Sequence, residues 1–266
     1  MAQKRLTVLG SVAVSGALLV MGGPTPAAEK ERPDFTGVWT TYVEPGQSPR
    51  GFGRTPPNQP FTPEGRRRYD DYRKLLGPEA ANPAAYCVDY GMPAMMEQAG
   101  GYPIEFIQKP DQLTIIYEVE GEMRRVYIGD RQVPQEKRLP SRQGYSSGHW
   151  DGDVLVVETT DLTDGQDQTQ HPRSDEAKIV ERFSLGADAK GTKVISYEMT
   201  LTDPIYYTEP IKVQKKWAPL NGFIIPYRCV DEFWLELLEM RREQLKAGKP
   251  ADARMSDVYK HREAKE

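Results

Sequence analysis

The sequence predicts a mainly β protein, a single antiparallel β-barrel followed by one C-terminal amphipathic helix. Three observations support this fold class. Short segments rich in Val, Ile and Tyr follow one another with turn residues between them, strand–helix alternation is missing, and the pattern changes to helical spacing after residue 231. The predicted strands are 35–42, 112–119, 123–128, 154–160, 177–185, 194–202 and 211–217.

Composition excludes several classes of protein. The chain has 266 residues, 38% of them hydrophobic, as expected for a globular domain rather than a disordered or disulfide-dense one. With 35 basic and 39 acidic side chains the net charge is −4, and no basic domain stands out, so nucleic acid is not an expected partner. Three histidines and two cysteines are too few for a Cys/His zinc cluster, and no nucleotide or EF-hand motif is present. We therefore expect no metal and no cofactor.

Residues 1–28 have the pattern of a secretory signal peptide. Lys4 and Arg5 precede an apolar stretch over residues 6–21, and small residues follow before the charged Glu29. The apolar stretch is too short for a typical membrane span. We expect cleavage and a periplasmic or secreted location, with no membrane insertion of the mature protein.

Export places both cysteines in an oxidising compartment. Cys87 and Cys229 are the only two, so an intramolecular disulfide has one possible connectivity. The alternative is a nucleophilic or redox cysteine. We predict the disulfide.

The mature chain is expected to form one domain with a helical tail. Residues 29–232 form the barrel domain, which includes a Pro/Gly-rich arm over residues 44–63 and a short basic helix over residues 64–76. Residues 233–266 form the C-terminal helix and a charged tail, and we expect the helix to pack on the sheet.

Two resemblances refine the fold. Gly37 and Trp39 form a Gly-x-Trp in the first predicted strand, which resembles lipocalin-like barrels, whereas a core tryptophan of another β-protein is the alternative. A series of ordered blocks also resembles a large family of exported bacterial proteins, most of them uncharacterised. This resemblance implies a secreted barrel-like domain over roughly residues 34–232, but it does not imply any particular reaction. His149 stands where that pattern often has arginine. The blocks are 34–39, 61–65, 127–131, 148–159 (Gly-His-Trp-Asp-Gly-Asp-Val-Leu-Val-Val-Glu-Thr), 174–175, 180–183 and 197–204.

A predicted hairpin at Gly121 supplies the first candidate site. With Gly121 at the apex, Glu118 lies opposite Arg124, on the apolar face of Ile116 and Val126. Such an ion pair can orient a substrate carboxylate or phenolate. The alternative is a cross-strand pair at the margin of the sheet.

Two further carboxylates are candidates for acid–base chemistry. Glu198 belongs to the polar face of strand 194–202, which either meets water or lines a polar interior. Glu181 lies between Ile179 and Phe183 on one strand face, where an apolar environment raises a carboxyl pKa.

Histidine and tyrosine complete the candidate set. Histidine is the side chain best suited to proton transfer near neutral pH, so His149, expected in a loop beside Trp150, is with Tyr127 a candidate proton donor or acceptor. A structural role is the alternative. The aromatic side chains expected to line a ligand pocket are Tyr117, Tyr145, Trp150, Tyr206 and Tyr207.

The leading functional hypothesis is cofactor-free acid–base chemistry on a small hydrophobic, aromatic compound, of the lyase, decarboxylase or isomerase type. In it Arg124 orients an anion, and Glu198 or Glu181 moves the proton. The alternatives are a non-catalytic periplasmic carrier of such a ligand and a structural envelope protein. Convergence of a carboxylate, a histidine and an arginine would favour catalysis, and an apolar cavity without them would favour carriage.

Overall fold

The computed structural model describes residues 32–43, 46, 58–76, 89–97, 102–166, 170–225 and 232–263. Nine longer strands, two strands of two residues and four α-helices account for most of the regular structure in these residues. The strands are β1 (Gly37–Thr41), β2 (Ile104–Lys109), β3 (Gln112–Tyr117), β4 (Met123–Ile128), β5 (Tyr145–Asp151), β6 (Val154–Thr160), β7 (Gly165–Gln166), β8 (Pro172–Arg173), β9 (Lys178–Ala187), β10 (Lys193–Thr202) and β11 (Ile211–Pro219). The helices are α1 (Pro63–Leu76), α2 (Ala94–Glu97), α3 (Glu232–Lys246) and α4 (Met255–Glu263).

The long strands close into a barrel in the order β1-β11-β10-β9-β6-β5-β4-β3-β2, and β7 and β8 form a separate two-stranded sheet. The predicted mainly β barrel is thus confirmed. The prediction of a purely antiparallel sheet is wrong, because β4 and β5 pair in parallel, whereas the other barrel pairings are antiparallel. Residues 129–144 connect β4 to β5. Because the two strands are parallel, this connection leads the chain from the end of β4 back to the edge of the sheet where β4 begins.

Alternation along the strands determines which side chains fill the barrel. On β10 the apolar residues Ile195, Tyr197, Met199 and Leu201 are buried, while Glu198 between them is exposed. The polar face of this strand therefore meets water. The interior is packed with aromatic rings: those of Phe106 and Trp217 lie 6.0 Å apart, and those of Phe183 and Tyr197 lie 5.0 Å apart.

Trp39 is part of this core. Only 1% of its surface is exposed, and its indole Nε1–H donates a 2.9 Å hydrogen bond to the carbonyl oxygen of Phe35. Its neighbour Gly37 adopts a φ of +136°, a region that favours glycine. The Gly-x-Trp motif thus places a buried ring in the first barrel strand.

A short internal segment, residues 89–97, packs with the barrel core. Met92, Met95 and Met96 are fully buried within the same apolar cluster as Trp39. Lys215 is also buried, and its Nζ donates to the carbonyl oxygen of Met96 over 3.2 Å. The side chain of a barrel strand thereby holds this segment.

The hairpin between β3 and β4 has a register different from the predicted one. Arg124 lies opposite Ile115 rather than Glu118, because Val119–Gly121 form a 3-10 turn in which Glu120 has a φ of 59°. Glu118 instead accepts a hydrogen bond from the backbone N–H of Ile225 over 2.7 Å. The predicted ion pair between Glu118 and Arg124 is therefore wrong.

The C-terminal part has two helices, where the sequence analysis expected one helix and a charged tail. Leu237 of α3 is buried with Ala253 and with Val258 of α4. None of the helices that the structure describes is long and apolar enough to cross a membrane. The predicted signal peptide (1–28), most of the Pro/Gly-rich arm, and both Cys87 and Cys229 lie outside the described residues.

Candidate functional site

A buried ion pair lies inside the barrel between β4 and β9. Arg124 Nη1 donates to Glu181 Oε1 over 2.8 Å, and Nη2 donates to Oε2, so the contact is bidentate. The two side chains are 1% and 0% exposed. Both residues occupy inward strand positions, as their apolar neighbours predicted, but the partners come from strands that are distant in sequence.

Three hydroxyl groups complete this cluster, which we call the interior network: Arg124, Glu181, Ser146, Thr159 and Tyr197. Arg124 Nε donates to Ser146 Oγ over 2.9 Å, and Nη2 donates to Thr159 Oγ1 over 2.7 Å. The Tyr197 hydroxyl donates to Glu181 Oε1 over 2.9 Å. Two opposite charges and three hydroxyl groups thus form one hydrogen-bonded cluster in a low-dielectric interior.

Burial and charge act on the two titratable partners of Glu181. Burial, together with the negative charge of Glu181, raises the pKa of Tyr197 well above its usual range. Burial alone would lower the pKa of Arg124, but the charge and hydrogen bonds of Glu181 more than offset it, so the Arg124 pKa is raised. Tyr197 is therefore a neutral donor and Arg124 a permanent cation.

A cleft opens in the barrel wall beside this network, at the pairing of β4 with β5, which we call the seam. The seam ladder runs only from Val126↔Ser146 to Ile128↔Gly148, so it does not include the first three residues of β4. The cleft has a volume of about 230 Å³. It is lined by Met123, Arg124, Arg125, Tyr127, Gln143, Gly144, Tyr145 and Ser146.

Stacked aromatic rings form one wall of the cleft. The rings of Tyr127 and Tyr145 are 5.4 Å apart with an interplanar angle of 16°. The guanidinium carbon of Arg138 lies 4.0 Å from the centre of the Tyr145 ring, and the Tyr145 hydroxyl accepts a hydrogen bond from Val133 N over 2.6 Å. These contacts fix Tyr145 and leave the pair as an ordered aromatic surface.

Polar groups line the rest of the cleft. Arg125 is exposed and forms no ion pair with any residue that the structure describes. Gln143 Oε1 is buried without a hydrogen-bond partner among those residues. Gly144 has a φ of +66°, and a Cβ there would lie 2.5 Å from the carbonyl oxygen of Thr160, so only glycine fits.

The structure brings some of the predicted catalytic residues together and separates others. Arg124 and Glu181 are paired, and Tyr127 lines the cleft beside Arg124. Glu198 faces solvent and accepts from Gln214 Nε2 over 3.2 Å. His149 lies on β5 rather than in a loop, and its side chain is exposed. The structure therefore does not bring Glu198 or His149 together with Arg124 and Glu181.

The predicted ligand-binding residues are also distributed over the barrel. Tyr145 lines the cleft, whereas Tyr117 is buried in the core and Trp150 stacks on Phe35 at 5.9 Å. Tyr206 and Tyr207 are buried elsewhere. Their hydroxyls donate to Asp164 Oδ2 over 2.6 Å and to the carbonyl oxygen of Pro172 over 2.7 Å.

Sequence reasoning did not single out Glu122, an ionisable residue that the structure buries. It is 5% exposed, its Oε1 accepts from Gly91 N over 2.9 Å, and its Oε2 is buried without a hydrogen-bond partner in the described structure. Burial, reinforced by the nearby charge of Asp89, raises the Glu122 pKa from 4.5 to about 7. In the sequence this glutamate is simply an acid beside a turn glycine, and only the packing of residues 89–97 reveals its burial.

Sequence reasoning also missed the part that Ser146, Thr159 and Tyr197 play in the interior network. Ser146 and Thr159 are cross-strand partners on β5 and β6, so their adjacency depends on register. Within the described residues no group of three His, Cys, Asp or Glu side chains is placed to hold a metal ion. Neither a protein-family model nor a curated protein matches the chain.

Proposed function

We propose that the protein is an exported, lipocalin-like barrel that binds a small aromatic compound in the cleft at the seam. The stacked pair Tyr127–Tyr145 carries this proposal, because it offers an ordered ring surface next to Arg125, a cation with no ion-pair partner among the described residues. Aromatic ligands stack on such surfaces, and a few placed polar groups orient them. Export is supported by the leader-like pattern of residues 1–28.

The cleft supports a small ligand better than the interior does. The barrel interior contains buried rings such as Trp217 and Phe183, together with the methionines of residues 92–96. The cleft volume of about 230 Å³ lies below the ~300–1,000 Å³ that is usual for pockets of drug-sized ligands. A compound with one aromatic ring is therefore the best match.

Cofactor-free acid–base catalysis, of the lyase, decarboxylase or isomerase type, is the second candidate. One observation favours it: Arg124 and Ser146 belong both to the lining of the cleft and to the interior network that holds Glu181. Binding ranks first because both oxygens of Glu181 already accept hydrogen bonds from Arg124, and Oε1 also accepts from Tyr197. A general base needs an oxygen within reach of the substrate proton.

The test is ligand-dependent thermal stabilisation of the purified protein, with product analysis of every mixture. The panel contains aromatic acids, phenols, lignin-type dimers and sterols. We expect single-ring compounds to raise the melting temperature and to be recovered unchanged. Consumption of a stabilising compound without added cofactor would establish catalysis instead.

Two variants connect the binding to the cleft. Tyr127→Leu removes the ring surface while keeping an apolar side chain, and we expect at least tenfold weaker binding. His149→Ala is the matched control, because His149 is exposed on the neighbouring strand and does not line the cleft. Unchanged binding by Tyr127→Leu, or the absence of any stabilising aromatic compound, would contradict the proposal.

A further inference from the structure

We infer that the cleft selects an aromatic carboxylate, with the Ser146 hydroxyl as hydrogen-bond donor to the carboxylate and Arg125 as its counter-charge. This inference rests on the proposed function and specifies the ligand class. The observation behind it is the hydrogen-bond arrangement around Ser146, one of the residues that line the cleft.

The argument begins with Thr159, which is 0% exposed and does not line the cleft, whereas Ser146 is 2% exposed and lines it. The Thr159 oxygen accepts from Arg124 Nη2, and a buried hydroxyl proton also requires an acceptor. Among the hydrogen bonds of the described residues, the one acceptor for it is Ser146 Oγ, 2.9 Å away. Thr159 therefore donates and Ser146 accepts.

Ser146 then has a fixed role. Its oxygen accepts from Arg124 Nε and from Thr159 Oγ1, which occupies both lone pairs. Its own proton has no acceptor among the described residues, and Ser146 lines the cleft. The cationic donor behind the oxygen polarises the hydroxyl and makes it a stronger donor. The free proton of Ser146 is thus available to an acceptor that enters the cleft.

The charge preference comes from a different residue. Glu181 neutralises Arg124 through two hydrogen bonds, so that pair adds little net charge to the cleft. Arg125 lies on the opposite, outward face of β4, lines the same cleft, and has no ion-pair partner in the described structure. A carboxylate on the ligand would therefore meet one neutral donor and one cation, with its ring against Tyr127.

The experiment compares two probes of similar size by calorimetric titration: 4-hydroxybenzoate, which carries the carboxylate, and 4-methylphenol, which carries a methyl group at that position. We expect the wild-type protein to bind the acid at least tenfold more tightly. Ser146→Ala should weaken binding of the acid by about 10–100-fold, as expected for a hydrogen bond to a charged group, and should leave binding of 4-methylphenol unchanged. The control Ser147→Ala alters the adjacent serine, which does not line the cleft.

Arg125→Gln tests the same inference without touching the interior. Because Arg125 is exposed, this variant should keep the wild-type melting temperature. It should bind the acid more weakly and lose most of the salt dependence of that binding, while binding of 4-methylphenol stays the same.

The outcomes separate the two proposals. Equal binding of both probes, or equal weakening of both by Ser146→Ala, would overturn the carboxylate inference while leaving aromatic binding intact. Binding of neither probe would overturn the proposed function itself.

Discussion

Two sides of the barrel wall differ in how completely the backbone closes them. The β9–β10 ladder runs from Lys193↔Ala187 to Thr202↔Lys178, ten pairs in antiparallel register. The seam between β4 and β5 has three pairs in parallel register. The long ladder forms a continuous wall, whereas the cleft opens at the short one.

This difference between the two ladders explains how a buried polar cluster of the barrel interior comes close to solvent. Glu181 belongs to the closed side and is fully enclosed, yet its partner Arg124 lies at the seam and lines the cleft. An inward-pointing polar residue in the middle of a complete ladder, such as Glu181, remains sealed from solvent. The seam is therefore where binding chemistry has access, and the following changes test that contrast in decreasing order of expected effect.

The largest effect is expected from Glu181→Gln on the closed side. The change leaves Arg124 buried without a counter-charge, and breaking a buried ion pair costs about 3–5 kcal/mol. Urea unfolding measures it. The control is Glu198→Gln on the paired strand β10, which faces solvent and should change stability by less than about 0.5 kcal/mol. A loss below ~1 kcal/mol for Glu181→Gln would show that the pair is not sealed from water.

Glu122, just before the seam, should make stability depend on pH. Its pKa is raised from 4.5 to about 7, so the folded state favours the protonated carboxyl. The free energy of unfolding should therefore fall by roughly 3 kcal/mol, relative to that of Glu122→Gln, as pH rises from about 4.5 to 7. Above that range it should be level. Unfolding of both proteins across this pH range measures the difference, and the exposed Glu209→Gln should follow the wild-type profile. Parallel profiles for wild type and Glu122→Gln would contradict the assigned burial.

Gly144 and Gly152 form a matched pair that isolates crowding at the seam. Both have a positive φ, +66° and +60°, so alanine is strained at either position. A Cβ at Gly144 would meet the carbonyl oxygen of Thr160, whereas at Gly152 it meets nothing within 4 Å. We expect the free energy of unfolding to fall by about 1 kcal/mol in Gly152→Ala and by roughly 2–3 kcal/mol in Gly144→Ala. Ligand binding should weaken in Gly144→Ala alone. Equal losses of stability in the two variants, measured by thermal unfolding, would mean that the backbone around Gly144 shifts to accommodate the Cβ.

The smallest effect is the coupling between Tyr127 and Tyr145 across the seam. A double-mutant cycle with Tyr127→Leu and Tyr145→Leu should give an interaction energy of about 0.5–1.5 kcal/mol, as expected for an aromatic pair beyond its buried area. Chemical unfolding of the four proteins measures it. Additive losses would indicate that the rings do not stack in solution.

Local patterns predicted much of the barrel and the faces of its strands. Alternation placed Glu181 on an apolar strand face and correctly grouped Ile195, Tyr197, Met199 and Leu201 on one side of β10. These conclusions need only a period of two along one strand. They hold because one face of each of these strands packs in the core.

Pairing was less predictable, because it depends on turns and on distant strands. The 3-10 turn at Val119–Gly121 shifted the register, so that Arg124 faces Ile115. Its true partner, Glu181, is supplied from across the barrel. Strands β2 and β5 were not predicted at all, and β5 carries Ser146 and His149. The site could therefore not be predicted from any single segment, because it is formed by contacts between strands that are distant in sequence.

The pairing of β1 with β11 has a consequence for how the protein folds. Trp39 lies beside Pro219, so the wall is complete only when the first and last barrel strands meet. Contacts between residues so far apart in sequence form late and slowly, since most of the chain's freedom must be lost before they contribute. Folding and unfolding should thus be concerted, and a chain lacking either end would lose the barrel as a whole rather than one strand of it.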